Sequence, residues 1–544
     1  MRVSPGVSPA DMRAALAEFQ KIVGAEWVFT DEEDVDLYRD SYSIFWDQPE
    51  ERIVAAAVCP DSVDQVQAAV KVANRYGIPI YPVSTGKNLG YGGSAPAYAG
   101  SVVLDLKRMN RILRVDEDRG FVLVEPGVSY FDLYQHLRET GSRLMVDVPD
   151  PGWGSLVGNS LDHGAGYLQP TYRNHFESHC GMEVVLADGT LLRTGMGAMP
   201  GADSWQDFKF GVGPWIDGIF SQSNFGVVTK MGFWLMPEPE AHLEANAFAY
   251  RFEDLSPMVN ALNYLENTGV ANGMSFVTSP LYGGSSFVPR DQRVVDHLAG
   301  AGHDLSQEEL NAFADANKVP YWSMTLKFYG PEDAVRANWN FCKKEFAKRV
   351  PGTTFDEGKL WRFPLTPEQH DEVHKPSFGI PSLEMFSRGA RSPNNPEGDW
   401  GHIWFAPIIP RTGEAIIEAN KVISEITARF DRIDSLRRVK FSTPTTYWAR
   451  SFILLFGFSI KRDPEYDRKT LECLRTLIAE CAKHGWGEYR ASPVVHDNVA
   501  AAYSFNNNAL TRFHERLKDA VDPNGIISAG RYGIWPKHLR EKKG

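Results

Sequence analysis

The sequence predicts an α+β protein of two domains whose C-terminal tail rejoins the first, and three observations carry that prediction. The chain has 544 residues, far past the size at which one hydrophobic core keeps growing, at about 150 residues per domain. Up to about residue 238, short β-rich runs alternate with short helical patterns between glycine loops; from 239 onward longer helical patterns, proline loops and wider strands take over. Residues 520–535, AVDPNGIISAGRYGIW, return to turns and glycine, which sets a C-terminal segment back on the first unit. The expected boundaries are 1–238, 239–486 and 487–544.

Taken in order, RIVAAAVCP (52–60) reads as a strand. The helix after it opens with Ser62 as N-cap and Gln65 three residues on, a capping box, carries Val63, Val66, Val70 and Ala73 on one face, and closes at Gly77. IPIYPV (78–83) is a strand that runs straight into STGKNLGYGG (84–93). SVVLDL, ILRVD and FVLVEPG follow as short strands, and YFDLYQHLRETG (130–141) as a helix ended by glycine. Residues 145–167, MVDVPDPGWGSLVGNSLDHGAGY, are too apolar for a linker and form a tight loop against something buried. MEVVLADGTLLRTG (182–195) is a hairpin turning at Asp188–Gly189. Beyond 240, SMTLKFYG (323–330) is a strand and GEAIIEANKVISEITARF (413–430) a long helix.

Composition narrows the partners. Net charge is −12 and no block of Lys/Arg occurs, which argues against nucleic acid and anionic membrane. The N-terminus lacks a signal-type apolar region, and no 18-residue apolar run follows. The 5 cysteines are odd in number and without CxxC spacing, so neither a disulfide framework nor a metal site is expected, and a reducing cytoplasm fits. Aromatics reach 12%, which suits a flat organic ligand as well as an aromatic core.

The two glycine loops, 84–93 and 152–159 (GWGSLVGN), expose backbone N–H groups able to cradle a pyrophosphate. Neither is a P-loop or a Rossmann fingerprint. IFSQSNFGVVTKMGFWL (219–235) sets Gly226 before a β run, and GEYR (487–490) joins a phenol to a guanidinium. His402, in DWGHIWFAP, lies among apolar neighbours and by itself reads as a core histidine. No GxSxG, HExxH, EF-hand or kinase signature is present.

In order, PVSTGKNLGYGG, EPGVSYFDLY, DVPDPGWGSLVGN, GMEVVLADGTLLRTGMGAMPG, FSQSNFGVVTKMGFWLM, GHIWFAP, GEYR and DPNGIISAGRYGIW resemble the vanillyl-alcohol oxidase flavoprotein family, nearest its bacterial eugenol oxidase and 4-alkylphenol oxidase branch. The resemblance implies a PP-loop FAD-binding domain built from the N-terminal part and the C-terminal tail, with a substrate-binding cap inserted between them. It also implies FAD bound covalently through its 8α position to His402; the tyrosine that p-cresol methylhydroxylase uses has no counterpart in RSPNNPEGD (391–399). Further cofactor contacts carry over to Pro82, Ser84, Thr85, Gly86, Lys87, Asn88 and Gly90 in the first loop. In the second region they carry over to Pro149, Gly154, Ser155, Gly158, Asn159, Asp162, Gly164 and Gly166. Gly226, Val228, Arg490 and Arg531 complete them, and no metal is implied.

Tyr91, Tyr489 and Arg490 match the group that holds a substrate's phenolic oxygen, Asp150 the carboxylate that acts on the benzylic carbon, and Tyr167 a supporting tyrosine. The implied reaction transfers a hydride from that carbon to the flavin through a p-quinone methide, then adds water or desaturates, with O₂ reduced to H₂O₂. The alternative is a dehydrogenase subunit that passes electrons to a separate c-type cytochrome, since no CxxCH occurs in the chain. Relatives form dimers or octamers, so a homodimer at least is implied. Trp404 and Ala406 give WFAP, closer to p-cresol methylhydroxylase, and Trp404 with Phe405 is expected to wall the flavin and cavity while Gly401 leaves room beside the ring. LQPTYRNHF (168–176) and RVKFSTPTTYWARSF (438–452) depart from the family pattern and point to a distinct pocket on the cap side.

Overall fold

The structure, a computed structural model, describes residues 2–281, 291–301, 305–384, 399–430 and 450–543. RSPNNPEG (391–398) and most of RVKFSTPTTYWARSF lie outside the described residues.

The N-terminal part opens with a helix, Pro9–Val23, whose start is fixed by Ser8 accepting from the Asp11 N–H and by proline in its first turn. Its face of Met12, Ala15, Leu16 and Phe19 packs on Val66, Val70 and Ala73 of the helix Val63–Tyr76, which follows the predicted period. Beneath them lies a four-stranded sheet in the order Val28–Phe29, Ala56–Val58, Val102–Asp105, Ile80–Val83, the last three strands parallel. The C-terminal segment returns as expected: the Ile80 N–H donates to Ile526 O at 2.7 Å and the Ser528 N–H to Ile80 O at 2.8 Å, extending the sheet past its edge strand.

A second, antiparallel sheet orders Ile112–Asp116, Phe121–Val124, Val227–Trp234, His179–Val185 and Leu191–Arg193. Its last pair is the hairpin read from the sequence, turning at Gly189 with φ +83°. Residues 241–330 build a third sheet on the long pairing of Ala241–Ala249 with Trp322–Gly330, covered by the helices Leu255–Asn267 and Glu332–Arg349. A two-stranded ribbon, Gly401–Phe405 against Phe456–Ile460, and the helices Gly413–Ala428 and Pro464–Lys483 share that same core. No helix of the described residues is long and apolar enough to cross a membrane.

One local prediction fails. Ser62 is the N-cap but makes no side-chain capping bond, and the Gln65 side chain, which would return to the Ser62 N–H in a capping box, accepts the Asp61 N–H at 2.9 Å instead. A complete capping box forms instead at the helix Tyr130–Glu139, where Ser129 and Asp132 satisfy each other's backbone N–H.

Candidate active site

A cavity of about 510 Å³ opens where the glycine loops, the Gln222–Val228 segment, the ribbon and the C-terminal return meet. The strand Ile80–Val83 delivers the first loop, and the positive φ of Gly86 (+68°) and Gly90 (+81°) bends it round the opening. In the second region Ser155 caps the short helix Leu156–Leu161, accepting from the Gly158 N–H at 3.1 Å and donating to Pro126 O at 2.6 Å. A Cβ on Gly158 would run into the Ser84 side chain, so glycine lets the loops close on each other. Asp162 fastens both loops to the tail: it accepts from Asn88 Nδ2 and Arg531 Nη2 at 2.7 Å and from the Tyr532 hydroxyl at 2.8 Å. Burial works against its charge, but Arg531 and Arg490 more than offset that and hold its carboxyl below the ordinary range.

Tyr91, Tyr489 and Arg490 converge on the same cavity. The two hydroxyls lie 3.5 Å apart, and the Arg490 Cζ stands 4.0 Å from the Tyr91 ring centroid. Burial, then Tyr489, push the Tyr91 phenol well above its usual pKa, so it is a neutral donor. Burial opposes the Arg490 charge, yet Tyr489, Tyr91 and Asp162 outweigh it and the guanidinium stays charged. Its Nε is buried without a hydrogen-bond partner among the described residues, a donor that an anion in the cavity would satisfy.

The segment carrying Tyr489 is zipped to the strand carrying His402. The Ile408 N–H donates to Gly487 O at 2.9 Å, and the Ala406 N–H donates to Glu488 Oε2 at 3.0 Å. Gln222 Nε2 donates to Tyr489 O at 2.8 Å from a residue held at φ +44°. In the ribbon, alternation turns His402 and Trp404 toward the cavity, with ring centroids 4.4 Å apart and nearly perpendicular. Burial pushes the His402 imidazole down to about 4, so it is neutral at physiological pH. Asp150 lines the cavity and accepts from the Tyr167 hydroxyl at 2.7 Å. Tyr167 is held in turn by its N–H to Asp147 Oδ1 at 2.8 Å, while Asp147 Oδ2 meets His175 Nε2 at 2.8 Å.

Most residues named from the sequence line the cavity; Gly90, Gly166, Tyr167 and Ala406 do not. Gly90 acts one layer back, where a Cβ would sit 2.7 Å from Trp404 Cδ1 and 3.1 Å from His402 Cδ2. Gly166 leaves space for the Asp147 carboxylate, and Tyr167 reaches the site through Asp150. The N–H of Ala406 is taken by Glu488 and its short side chain is fully buried. Phe405 faces the other way, into the core of the 241–499 region, because strand alternation sets it opposite Trp404. The room at Gly401 is filled by the Tyr42 ring. Tyr42, Tyr81, Gln222 and Tyr532 escaped the sequence reading, and each enters through a long-range contact that no local spacing signals.

Comparison with known proteins decides the kinship. Residues 54–195 match the family described as an FAD binding domain. The chain is 30% identical over 540 residues to the flavoprotein subunit of 4-cresol dehydrogenase (hydroxylating) from Pseudomonas putida, covering 97% of each. It overlays 4-ethylphenol oxidase from Gulosibacter chungangensis, in complex with isoeugenol, with a TM-score of 0.83 at 33% identity, covering 99% of this chain and 100% of that one. It overlays substrate-bound p-cresol methylhydroxylase with a TM-score of 0.83 at 29% identity, covering 98% and 99%.

The chain belongs to the vanillyl-alcohol oxidase and p-cresol methylhydroxylase family. It is an FAD-dependent oxidoreductase with that family's two-domain flavoprotein fold. The residues present fit FAD: two glycine-lined loops offer N–H groups to a pyrophosphate, and Arg490 has a buried N–H with no partner among the described residues.

Proposed function

We propose that this protein is a covalent-FAD oxidase of para-substituted phenols, such as 4-alkylphenols, 4-alkylguaiacols and vanillyl-alcohol-like compounds. The convergence of Tyr91, Tyr489 and Arg490 on one cavity with Asp150 and His402 is the observation that supports it. Bound FAD would supply the acceptor for a hydride.

The chain's own part begins at the phenol oxygen. Two neutral O–H donors and a fixed cation lower the phenol's pKa and bind it as phenolate. Its electron density drives hydride loss from the para benzylic carbon, and the neutral p-quinone methide that results keeps its carbonyl oxygen hydrogen-bonded to the same donors. Asp150 takes the proton of the alcohol, or of a water that adds to the benzylic carbon. His402, neutral because burial pushes its imidazole down to about 4, would be the residue that holds FAD covalently. Trp404 limits what the substrate may carry near that edge. We assign O₂ as acceptor, with release of H₂O₂, at least a homodimeric assembly, and the cytoplasm as location.

The second reading, a dehydrogenase serving a separate c-type cytochrome, draws on the 30% identity to the 4-cresol dehydrogenase flavoprotein subunit. Purified protein given 4-ethylphenol and air decides between them: peroxide formed in step with product supports the oxidase, and turnover only with added cytochrome or dye rejects it. Protein that stays yellow after acid precipitation, and loses that colour as His402→Ala, supports the covalent link. Brisk flavin reduction by 4-methoxy ethers would remove the phenolate mechanism.

A further inference from the structure

The layer behind Tyr167 holds a charge that the reaction above does not use. Lys327, on the strand Trp322–Gly330, is fully buried. Its Nζ lies over the Tyr167 ring, 5.9 Å from the centroid, and over the Phe276 ring at 5.0 Å. Phe276 stacks on Tyr167 at 6.1 Å, and the Tyr167 hydroxyl donates to Asp150 at 2.7 Å. Ammonium, ring and carboxylate thus follow one another out to the cavity.

Such a charge is costly to bury, and an apolar side chain of similar length would fill the space at less cost. Its surroundings are built for it. Nζ donates to Ser377 Oγ and stands 3.4 Å from Glu244 Oε1, which also meets His242 Nε2 at 3.1 Å. His374 Nδ1 bonds Ser377 Oγ at 2.8 Å and sets its ring edge-on to Tyr167 at 5.0 Å. Tyr329 stacks on His242 and donates to Ser377 O at 2.8 Å, and its phenol is pushed up by burial, then by Glu244 and Asp147, against Arg173. Burial would raise Glu244, but Lys327 and His242 bring it down to about 2; burial lowers His242 and pushes Lys327 down to about 8. Near neutral pH the cluster is one carboxylate, one ammonium and a neutral His242.

We propose that Lys327 is a positioning residue for the Tyr167–Asp150 pair: its ammonium, set against the ring face, strengthens the Tyr167 O–H as a donor and holds the Asp150 carboxylate in the charge and place that the benzylic step needs. The proposal rests on the reading of Asp150 as the benzylic acid/base.

The test compares Lys327→Met with Lys327→Met/Glu244→Gln, since the single change strands a buried carboxylate and the double removes both charges together. The double variant is expected to fold and to bind FAD and an unreactive 4-substituted phenol as wild type does. Its flavin reduction at saturating phenol should be about twofold to fivefold slower, the scale of one weak cation–ring contact at the limit of its range. Because the ammonium is charged below about 8 and neutral above, the wild-type advantage should shrink as pH rises through that value. In a Tyr167→Phe background the double change should cost nothing more. Wild-type rates in the double variant would show that Lys327 merely neutralises Glu244, and an undiminished loss in the Tyr167→Phe background would show that it does not act through Tyr167; either overturns the proposal. Asp150→Ala that keeps turnover instead overturns the acid/base reading beneath it.

Discussion

Gln222 holds a left-handed backbone that a non-glycine residue adopts at a cost of about 1 kcal/mol or more. Its N–H donates to Leu161 O at 2.8 Å and its side chain to Tyr489 O, so one strained residue joins the second glycine region to the Tyr489–Arg490 segment. Gln222→Ala keeps the strain and loses the bond, whereas Gln222→Gly relieves the strain and loses the same bond. Both are expected to raise the KM for the phenol by about fivefold, from one lost buried hydrogen bond of about 1 kcal/mol. Gln222→Gly alone should match or exceed the wild-type Tm; equal KM values for variant and parent would remove Gln222 from the site. Asp150 is tested by kcat: Asp150→Ala should lose about 100-fold or more in flavin reduction, the scale of a positioned acid/base, with phenol affinity nearly unchanged. Asp150 and Tyr489 were legible because each stands in a run of distinctive neighbours. Gln222 was not, because nothing in SQSN announces a positive φ.

At the scale of elements, the ribbon strand Gly401–Phe405 orients the site, and glycines make that possible. Trp404 sits between Gly90, where a Cβ would come 2.7 Å from its Cδ1, and Gly457 of the paired strand, where a Cβ would come 3.2 Å from its Cζ3. Gly90→Ala combines a clash with an unfavourable φ of +81°. It is expected to turn Trp404 and His402 off their places, and the fraction of flavin retained after acid precipitation should fall by about half or more. Full retention with wild-type spectra would mean that the ribbon yields without cost. The helix Val63–Tyr76 was visible in sequence from its period, whereas the strand alternation of GHIWF was not, and it takes Phe405 away from the cavity where it was expected beside Trp404. Which face of the strand met the cavity was not visible, since that depends on Phe456–Ile460 and on the core of the 241–499 region receiving Phe405. Likewise the Ser62–Gln65 spacing permitted a capping box, yet the Asp61 N–H competed for Gln65 and won.

Across the whole molecule, segments far apart in sequence meet round the cavity. Lys518, fully buried, donates at 2.7 Å to Asn224 O, to Ile527 O and to Asp522 Oδ2, tying the C-terminal tail to the loop before the strand Val227–Trp234. The return of the tail was readable from its glycine-rich composition; its partners, about 300 residues away in sequence, were not. Glu488 makes the second such joint, between the His402 strand and the Tyr489–Arg490 pair, and it is the more informative to perturb. Burial pushes its carboxyl from an ordinary value of 4.5 up to about 8. A raised folded-state pKa means that the stabilisation is full below about 4.5, where the unfolded chain is also protonated, and is lost as pH climbs to about 8. The loss amounts to as much as about 1.4 kcal/mol per pH unit crossed. Glu488→Gln keeps an oxygen for the Ala406 N–H but has no proton to lose. The variant should therefore match wild type near pH 5 and show the higher Tm at pH 8 to 9, with flavin reduction at neutral pH unchanged within about twofold. Parallel Tm curves for the two proteins from pH 5 to 9 would show that Glu488 is ionised throughout and that the joint is held by packing alone.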